Sequence, residues 1–451
     1  MTSRILVRPV RKALSGSVPV PSDKSIGHRA FLFAALSRGK CRIGGFSYGE
    51  DNVATMKAFA AMGVPSEDDG NGTVVVSGRG LAELHAPSAP IDCGNSGTTM
   101  RLLSGVLAAQ HFRTRLVGDA SLSRRPMNRI AKPLRARGAQ IEGTPHPTKK
   151  EEITAPLDIG PLPDGTKLTG LEYKMPVSSA QVKSALLLSG LFASGDTVVY
   201  EPLLSRDHTE RMLSALGIPL RAAGTMVSLT PPSDPRAIHE FDVELPGDLS
   251  AAAFPLVAAA IVPGSAVTTR RTGLNPTRAG ILDVLRNFGA ALATEPQGDV
   301  LGEPFGLATV RFAELRATPV GGELATRSID EIPVAAALAA RARGVTRFTE
   351  VGELRVKESD RIAQVVSVLR AFGLQAEESE EGFSVEGKPE APLRAARVTS
   401  HGDHRIAMTA CVLGLVADGE TVVEDVDCIA TSFPRFVGTL RALGADIEAT
   451  S

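Results

Sequence analysis

Tryptophan is absent from this 451-residue chain, and aromatic residues together make up only 4% of it. So few rings exclude the stacking platforms on which single-stranded nucleic acids are usually bound. The formal net charge is -1, because 49 Lys and Arg oppose 50 Asp and Glu. A chain with this balance has no bulk field that attracts nucleic acid or an anionic membrane. We therefore expect neither as a partner.

Cysteine is also scarce, and no two cysteines form a CxxC pair; the four are Cys41, Cys93, Cys411 and Cys428. Scattered thiols of this kind indicate reduced structural cysteines in a reducing compartment. The most apolar stretch, 249–262, is too short to span a bilayer. The first sixteen residues lack the unbroken apolar core of a secretory signal. We expect a cytoplasmic protein.

Several catalytic motifs are missing as well. The sequence has no GxxxxGK[ST] phosphate loop, no GxSxG nucleophile elbow and no HExxH zinc helix. His401 and His404 lie three residues apart, but no cysteine or further histidine accompanies them, so a zinc site is not expected. We interpret His404 as a residue at the start of a helix.

What the chain does contain is a helix ending that recurs six times. Each copy is a Leu- or Phe-containing stretch followed by glycine, and the copies lie about seventy-five residues apart, at Gly63, Gly138, Gly217, Gly289, Gly373 and Gly444. Glycine just after a helix adopts the left-handed conformation at little cost. The repeat therefore predicts six helices that end in the same way.

Between these endings lies a second repeated element, an Ala/Leu-rich helix followed by a short turn and a β-branched strand. Its six copies begin at Lys24, Asn95, Ser178, Gly247, Ser328 and Gly402. Helices that are apolar nearly all round are buried, whereas the helices of the first set carry charge on one side and should form an outer layer.

Six such units predict a mixed α/β chain of two domains with three units each. A Pro-rich stretch, 231–246, follows the third unit and should mark the boundary. We expect an N-terminal lobe over 21–244 and a C-terminal lobe formed by 245–451 together with 1–20, whose strands should pair with the C-terminal half.

Polar residues collect where the buried helices begin. The six first turns contain Asp23–Ser25, Asn95–Thr98, Ser178–Gln181, Asp248–Ser250, Asp330–Glu331 and Asp403–Arg405. Helix capping explains most of these side chains, but it does not require Lys24, Gln181 or Arg405. Helix N-termini also bind phosphate and carboxylate groups through free N–H groups and the helix dipole. If the helices run parallel, their positive ends converge on a cleft that would trap anions.

The loops before the outer helices add further cations to these helix starts. The cations of the whole set are Lys24, Arg29, Arg101, Arg125, Lys183, Arg206, Lys357, Arg361 and Arg405. Such a concentration suits a polyanionic ligand held by arginine forks. Surface ion pairing is the alternative, and the segment 355–361 could form an exposed turn with paired charges.

Eight ordered motifs carry a resemblance to a known family: PSDKSIGHRA, CGNSGTTMR, SRRPM, MPVSSAQVKSALL, IDEIPV, RVKESDR, GDHRIAM and CIATSFPRF. Over essentially its whole length the chain resembles the enolpyruvyl transferases, in the branch that uses shikimate-3-phosphate as acceptor. The resemblance implies two inside-out α/β domains, each of three repeated units, with parallel buried helices and outer sheets. It also implies that phosphoenolpyruvate is the donor, that phosphate is released, and that no metal is needed. We further expect a monomer without a cofactor.

The same resemblance implies a role for each matching residue. Shikimate-3-phosphate would contact Lys24, Ser25 and Arg29, and would be held by Ser179 and Gln181 with help from Ser178 and Arg206. Phosphoenolpyruvate would be gripped by the backbone of Gly97 and by Arg125, Arg361 and Arg405, with Lys24 also reaching it. Asp330 would take the proton of the 5-hydroxyl group. Glu358 and Lys357 would deliver a proton to the methylene carbon and steady the departing phosphate.

Two other functions remain open at this point. A related transferase acting on UDP-N-acetylglucosamine shares the fold and donor, but it usually relies on a loop cysteine and a Lys-Asn start. This chain has Lys24-Ser25 and no cysteine in the loop 118–126. A non-catalytic anion-binding scaffold is the second alternative, but it would not need Asp330 and Glu358 together with the cations.

Overall fold

The computed structural model describes residues 3–450 of the chain. By the density of their internal contacts these residues form two compact units. One, which we name the N-terminal lobe, comprises Ser22–Leu245 with Asp299–Glu303. The other, the C-terminal lobe, comprises 3–21, 246–298 and 304–450. That the segment Asp299–Glu303 groups with the N-terminal lobe was not foreseen from the repeat.

Thirteen α-helices occur within residues 3–450. They are α1 Lys24–Leu36, α2 Glu50–Ala61, α3 Gly97–Leu107, α4 Asn128–Ala136, α5 Ala180–Gly190, α6 His208–Ala215, α7 Leu249–Ile261, α8 Gly280–Asn287, α9 Gly322–Arg327, α10 Ile332–Ala340, α11 Arg361–Ala371, α12 His404–Gly414 and α13 Phe436–Ala442. Short 3-10 turns lie at Leu122–Arg124, Ile329–Glu331, Gly352–Val356 and Asp427–Thr431.

The strands are short and are spread along the whole described chain. They are β1 Arg4–Val7, β2 Ser15–Pro19, β3 Arg38–Gly44, β4 Ser66–Asp68, β5 Val74–Arg79, β6 Ile91–Asp92, β7 Thr114–Val117, β8 Ile141–Pro145, β9 Ile153–Ile159, β10 Leu171–Lys174, β11 Thr197–Tyr200, β12 Leu220–Ala223, β13 Met226–Leu229, β14 Asp242–Glu244, β15 Ala266–Gly273, β16 Ala291–Val300, β17 Glu303–Arg311, β18 Val345–Phe348, β19 Gln375–Ser379, β20 Gly382–Glu386, β21 Arg397–Thr399, β22 Thr421–Glu424 and β23 Ile447–Thr450.

These strands form six small sheets that repeat one plan. The N-terminal lobe has the orders β14-β3-β5-β4, β6-β7-β9-β8 and β10-β11-β13-β12. The C-terminal lobe has β16-β17-β15-β2, β18-β20-β19 and β21-β22-β1-β23. In each four-stranded sheet of the N-terminal lobe, a parallel edge pair is extended by two antiparallel strands. The Pro-rich stretch 231–246 is therefore not a plain linker, because it contributes strand β14.

The N-terminal strands complete two sheets of the C-terminal lobe. Strand β1 lies between β22 and β23, with Ile5 opposite Val423 and Ala449. Strand β2 runs parallel to β15, with Ser17 opposite Thr268. The expected pairing of the first twenty residues with the C-terminal half is confirmed for the described residues.

The buried layer of each lobe consists of the three helices predicted for it: α1, α3 and α5 in one, α7, α10 and α12 in the other. Every residue of α7 and α10 is buried. Helices α3 and α5 approach so closely that a Cβ atom at Gly105 would lie 2.3 Å from the carbonyl oxygen of Ala185. Each lobe has its own hydrophobic core around these helices. The inside-out arrangement, with helices inside and sheets outside, is confirmed.

The six repeated glycines end the outer helices as predicted. Helices α2, α4, α6, α8, α11 and α13 each stop two residues before the glycine. The φ angles of these glycines are positive, from 78° at Gly373 to 104° at Gly138. Left-handed backbone at this position is strained for residues with a Cβ, which is why glycine recurs there.

Candidate functional site

In the N-terminal lobe, hydrogen bonds bring the first turns of the three buried helices together. The Lys24 Nζ atom at the start of α1 lies 2.9 Å from Oδ2 of Asp51. The hydroxyl of Thr99 in α3 donates to the backbone oxygen of Asp51 at 3.2 Å. Nε2 of Gln181 in α5 donates to the Thr98 hydroxyl at 3.0 Å. The predicted convergence of polar helix starts is therefore present within this lobe.

Capping differs among these three starts. The side chain of Asp23 accepts from the Ile26 amide, and that of Ser96 accepts from the Thr99 amide. The side chain of Ser179 makes no capping bond to α5. The Ser178 hydroxyl instead bridges the backbone oxygen and amide of Leu203. The amino end of α5 thus has no side-chain cap that competes with an anion for its backbone donors.

The start of α3 carries two guanidinium groups. A Cβ atom at Gly97 would lie 2.8 Å from Nη1 of Arg101 and 3.1 Å from Nη1 of Arg125, so both groups lie against the glycine backbone. Arg125 also donates to Oδ1 of Asn95 at 2.7 Å. Within the described residues, the buried Nε of Arg125 and Oε1 of Gln181 make no hydrogen bond. Buried polar atoms left in this state are typical of a site that completes its bonds with a ligand.

Arg29, one of the predicted cations, is buried inside the lobe. Arg29 is 2% exposed and donates to the Thr209 and Ser184 hydroxyls and to the Ser25 backbone oxygen. Burial lowers the pKa of Arg29 to about 10. Arg29 therefore joins α1 to α5 and α6 beneath the half-buried Ser25. Arg206 is half-buried in the loop that precedes α6.

Lys183 was predicted to be one of the cations that bind an anionic ligand, and that prediction was wrong. Its Nζ forms ion pairs with Glu201 and, at 2.6 Å, with Glu210, and all three side chains are almost fully buried. Burial alone would lower the pKa of Lys183, but the two carboxylates raise it. Its charge is therefore balanced inside the lobe and is not available to a ligand.

In the C-terminal lobe, one hydrogen-bonded cluster joins the starts of α7, α10 and α12. Ser250 in α7 donates to Oε1 of Glu331, the residue that precedes α10. Arg405 in α12 donates to the Ser250 hydroxyl at 3.2 Å and to the Asp330 backbone oxygen at 2.6 Å. The three helix starts of this lobe therefore converge as well.

The Asp330 carboxylate lies in a 3-10 turn in front of α10, and the N-cap position of that helix belongs to Glu331. The capping interpretation of Asp330 is thus not supported. Its Oδ1 atom is 3.7 Å from Nζ of Lys357 and 3.7 Å from Nη1 of Arg361. Glu358 lies 2.7 Å from Nη2 of the same Arg361. Two carboxylates and two cations thus form one polar cluster.

Arg361 is held from below by a buried carboxylate. Its Nε atom lies 2.8 Å from Oδ2 of Asp403, which also caps α12 by accepting from the Arg405 amide. Burial by itself lowers the pKa of Arg361, but Asp403 and Glu358 raise it above its ordinary value. For Asp403 burial by itself raises the pKa, but the charge of Arg361 outweighs burial and holds the pKa of this carboxyl below its usual range. Both groups stay charged at neutral pH.

Sequence reasoning missed several members of these clusters. Asp51 pairs with Lys24, and Arg278 donates to Glu331 and Ser250, yet neither Asp51 nor Arg278 was singled out. Arg278 lies in the loop before the outer helix α8, and the corresponding loops of three other units were recognised for their charge. A stricter comparison of the six units would have found it.

Among residues 3–450, no group of three or more His, Cys, Asp or Glu side chains is placed to hold a metal ion. No helix in this part of the chain has the length and apolar character needed to cross a membrane. All four cysteines are free thiols, as expected. Burial raises the pKa of the Cys93 thiol to about 12, so it is not a nucleophile at neutral pH.

Comparison with known proteins gives consistent matches. The profile of a family described as EPSP synthase (3-phosphoshikimate 1-carboxyvinyltransferase) matches residues 9–440. A 3-phosphoshikimate 1-carboxyvinyltransferase of Geobacter sp. (strain M21) is 48% identical over 429 residues, covering 95% of this chain and 96% of the relative. One from Bacillus thuringiensis (strain Al Hakam) is 43% identical, covering 97% and 99%. A solved structure of EPSP synthase from Acinetobacter baumannii has a TM-score of 0.88 and 40% identity, and covers 100% of both chains.

Proposed function

The chain belongs to the EPSP synthase family, and from that premise we propose that the polar clusters at its helix starts carry out the reaction of the family. It is a transferase that moves the enolpyruvyl group of phosphoenolpyruvate to the 5-hydroxyl of shikimate-3-phosphate and releases phosphate. This reaction belongs to the shikimate pathway of aromatic amino acid biosynthesis. What remains to be proposed is how individual residues divide the work.

We assign shikimate-3-phosphate to the cluster of the N-terminal lobe. Ser179 and Gln181 bind its ring and phosphate, and Lys24 and Ser25 bind its anionic groups. The uncapped start of α5 and the unsatisfied Oε1 of Gln181 support this assignment, because both seek polar partners.

We assign supporting roles toward the same substrate to three further residues. Arg29 is almost fully buried, so it contributes mainly through its charge and through its bond to the Ser25 backbone oxygen. Ser178 holds the loop at Leu203 by two hydrogen bonds and thereby shapes the site next to Ser179. Arg206 adds a positive charge from the loop before α6.

We assign phosphoenolpyruvate to the Gly97 backbone with Arg125, Arg361 and Arg405, and to Lys24. Planar guanidinium forks match the geometry of carboxylate and phosphate groups. The close approach of the Arg125 guanidinium to Gly97 supports a shared anion position at the start of α3. Arg361 and Arg405 are anchored by Asp403 and by Ser250, so their orientations are set before a ligand arrives.

The observation that carries the catalytic proposal is the cluster around Arg361. Asp330 and Glu358 both lie against this guanidinium, and Lys357 lies 3.7 Å from Asp330. Addition–elimination needs a base at one oxygen and an acid at one carbon. In the proposal Asp330 accepts the proton of the 5-hydroxyl, while Glu358 and Lys357 protonate the methylene carbon and stabilise the departing phosphate. Fixed cations around two anionic reactants supply the electrostatic part of the rate gain.

Phosphate release from phosphoenolpyruvate tests this function directly. We expect release with shikimate-3-phosphate and none with buffer alone or with UDP-N-acetylglucosamine as acceptor. Release that ignores the acceptor would contradict the assignment. Release with the UDP-sugar alone would favour the related transferase considered above.

We also propose that the enzyme acts as a monomer in the cytoplasm, without metal or cofactor, and that its domains span 21–244 and 245–451 with 1–20. The first point predicts the mass of a single chain in light scattering at working concentration. Full activity after dialysis against a chelator is expected if the enzyme uses no metal. A loss of activity that added metal restores would contradict this.

A further inference from the structure

Arg278 lies at the centre of a buried cluster for which the proposed reaction has no assigned use. Its side chain is 5% exposed, and its Nη1 atom lies 2.9 Å from both carboxylate oxygens of Glu331, whose side chain is 0% exposed. Its Nη2 atom donates to the Ser250 hydroxyl and lies 3.6 Å from Oδ1 of Asp248. One guanidinium therefore ties together the starts of α7 and α10.

Arg405 rests on the same two groups. Its Nη2 donates to the Ser250 hydroxyl at 3.2 Å, and its Nη1 lies 3.5 Å from Oε1 of Glu331. Its remaining contact is the backbone oxygen of Asp330, at 2.6 Å. Two of the three acceptors that orient Arg405 are thus held in turn by Arg278.

The Ser250 hydroxyl shows how closely the two arginines are linked. It donates its single proton to Glu331 and accepts one bond from Arg278 and one from Arg405. This uses the full hydrogen-bonding capacity of a hydroxyl. Without Arg278 the hydroxyl would lose one of its three bonds, and Glu331, to which it donates, would lose its two hydrogen bonds from the same guanidinium.

Glu331 needs Arg278 for a different reason. Burial of a carboxylate this deeply costs free energy unless hydrogen-bonded cations lie beside it, and Arg278 makes the shorter of its two cation contacts. The arginine fork binds Glu331 and Ser250 through two nitrogens in a fixed plane, whereas a lysine ammonium is a compact charge on a flexible stem and would not hold both in the same geometry.

We propose that Arg278 is a positioning residue for the donor substrate: through Glu331 and Ser250 it sets the orientation of the Arg405 guanidinium that grips phosphoenolpyruvate. This inference rests on the proposed role of Arg405. Displacement of an anchoring group by about 1 Å is enough to cost on the order of 100-fold in rate. Because the contacts of Arg278 lead to Arg405, we expect its replacement to act mainly on the donor.

The test compares steady-state constants of Arg278→Lys with those of the wild-type enzyme. We expect the KM for phosphoenolpyruvate to rise about five- to tenfold and the KM for shikimate-3-phosphate to change less than about twofold. The double variant Arg278→Met/Glu331→Gln removes both buried charges together and should give the same split. Arg137→Met is the matched control: it removes a fully buried arginine whose bonds go to groups without a proposed role in the reaction, among them the Thr169 backbone oxygen and the Ser189 hydroxyl. It should lower the melting temperature without splitting the two KM values.

Arg405→Lys separates the failure of this inference from the failure of the premise. If Arg405→Lys leaves the KM for phosphoenolpyruvate unchanged, the role of Arg405 itself is wrong. Suppose instead that Arg405→Lys raises the KM for phosphoenolpyruvate, while both Arg278 variants are folded and leave it unchanged. That result overturns only the positioning role of Arg278. When Arg278→Lys is added to Arg405→Lys, we expect less than about a twofold further change, because both act through one guanidinium. Fully multiplied effects would contradict the proposal.

Discussion

Replacement of Asp330 by asparagine isolates its proposed role as a base, since asparagine keeps the shape of the side chain and removes its charge. Arg361 would retain Asp403 and Glu358 as partners, and Lys357 would retain Glu353 at 2.9 Å. The backbone oxygen that Arg405 contacts at position 330 is unaffected by the substitution. We therefore expect a folded protein with an intact anion site.

The magnitude follows from the chemistry and the charges. Loss of a general base slows proton transfer by about 10²–10⁴-fold, which corresponds to roughly 3–5 kcal/mol in the activation barrier. The Asp330 carboxylate lies 3.7 Å from two cations, and each such pair is worth roughly 4 kcal/mol at an effective dielectric of about 20, before screening by solvent. Removing it lowers the negative charge beside both cations, so the KM for phosphoenolpyruvate should stay constant or fall while kcat collapses.

The assay is phosphate release at saturating concentrations of both substrates, with each KM measured in turn. Glu353→Gln is the matched control, because it also removes a carboxylate bonded to Lys357 but one that has no proposed part in proton transfer. Its kcat should stay within about twofold of wild type. The reasoning is refuted if Asp330→Asn keeps kcat within about fivefold, or if it loses shikimate-3-phosphate binding at unchanged kcat.

Three more outcomes follow from the contacts. Lys24→Met should raise the KM of both anionic substrates at least about tenfold and flatten their salt dependence, and near-wild-type KM values with an unchanged salt dependence would contradict the anion site. Gly105→Ala places a Cβ 2.3 Å from the Ala185 carbonyl oxygen and should destabilise folding by about 1–3 kcal/mol in urea titrations. Gly138→Ala is the comparison, because its Cβ would meet nothing within 4 Å and only the positive φ would strain it. Asp403→Asn should destabilise at pH 7. Because Arg361 lowers the folded-state pKa of Asp403, that stabilisation is complete above about pH 4 and is lost as pH falls through the lower folded value, so the gap to wild type should close in acid.

The sequence predicted the structure best at positions where local backbone geometry or burial demands one type of residue. Glycine after each outer helix answers a need for positive φ, and the unbroken apolar faces of α7 and α10 answer a need for burial. Both requirements are local to a turn or a helix, so they can be recognised without knowledge of the neighbours.

Charged residues were less predictable, because their state depends on partners distant in sequence. Lys183 reads like the other cations near a helix start, yet Glu201 and Glu210 enclose it. Asp330 reads like a helix cap, yet its neighbour Glu331 holds that position. Arg278 was not predicted as a site residue, although its guanidinium donates hydrogen bonds to both Glu331 and Ser250.

By itself the amino-acid sequence determined the sixfold repeat, the separation into buried and outer helices, and the gathering of polar residues at helix starts. These properties follow from periodicity and from the conformational preferences of single residues. Only the tertiary structure decided which charges are balanced internally and which remain for substrates. That outcome depends on distances of a few ångströms between residues far apart in the chain, and no local pattern encodes those distances.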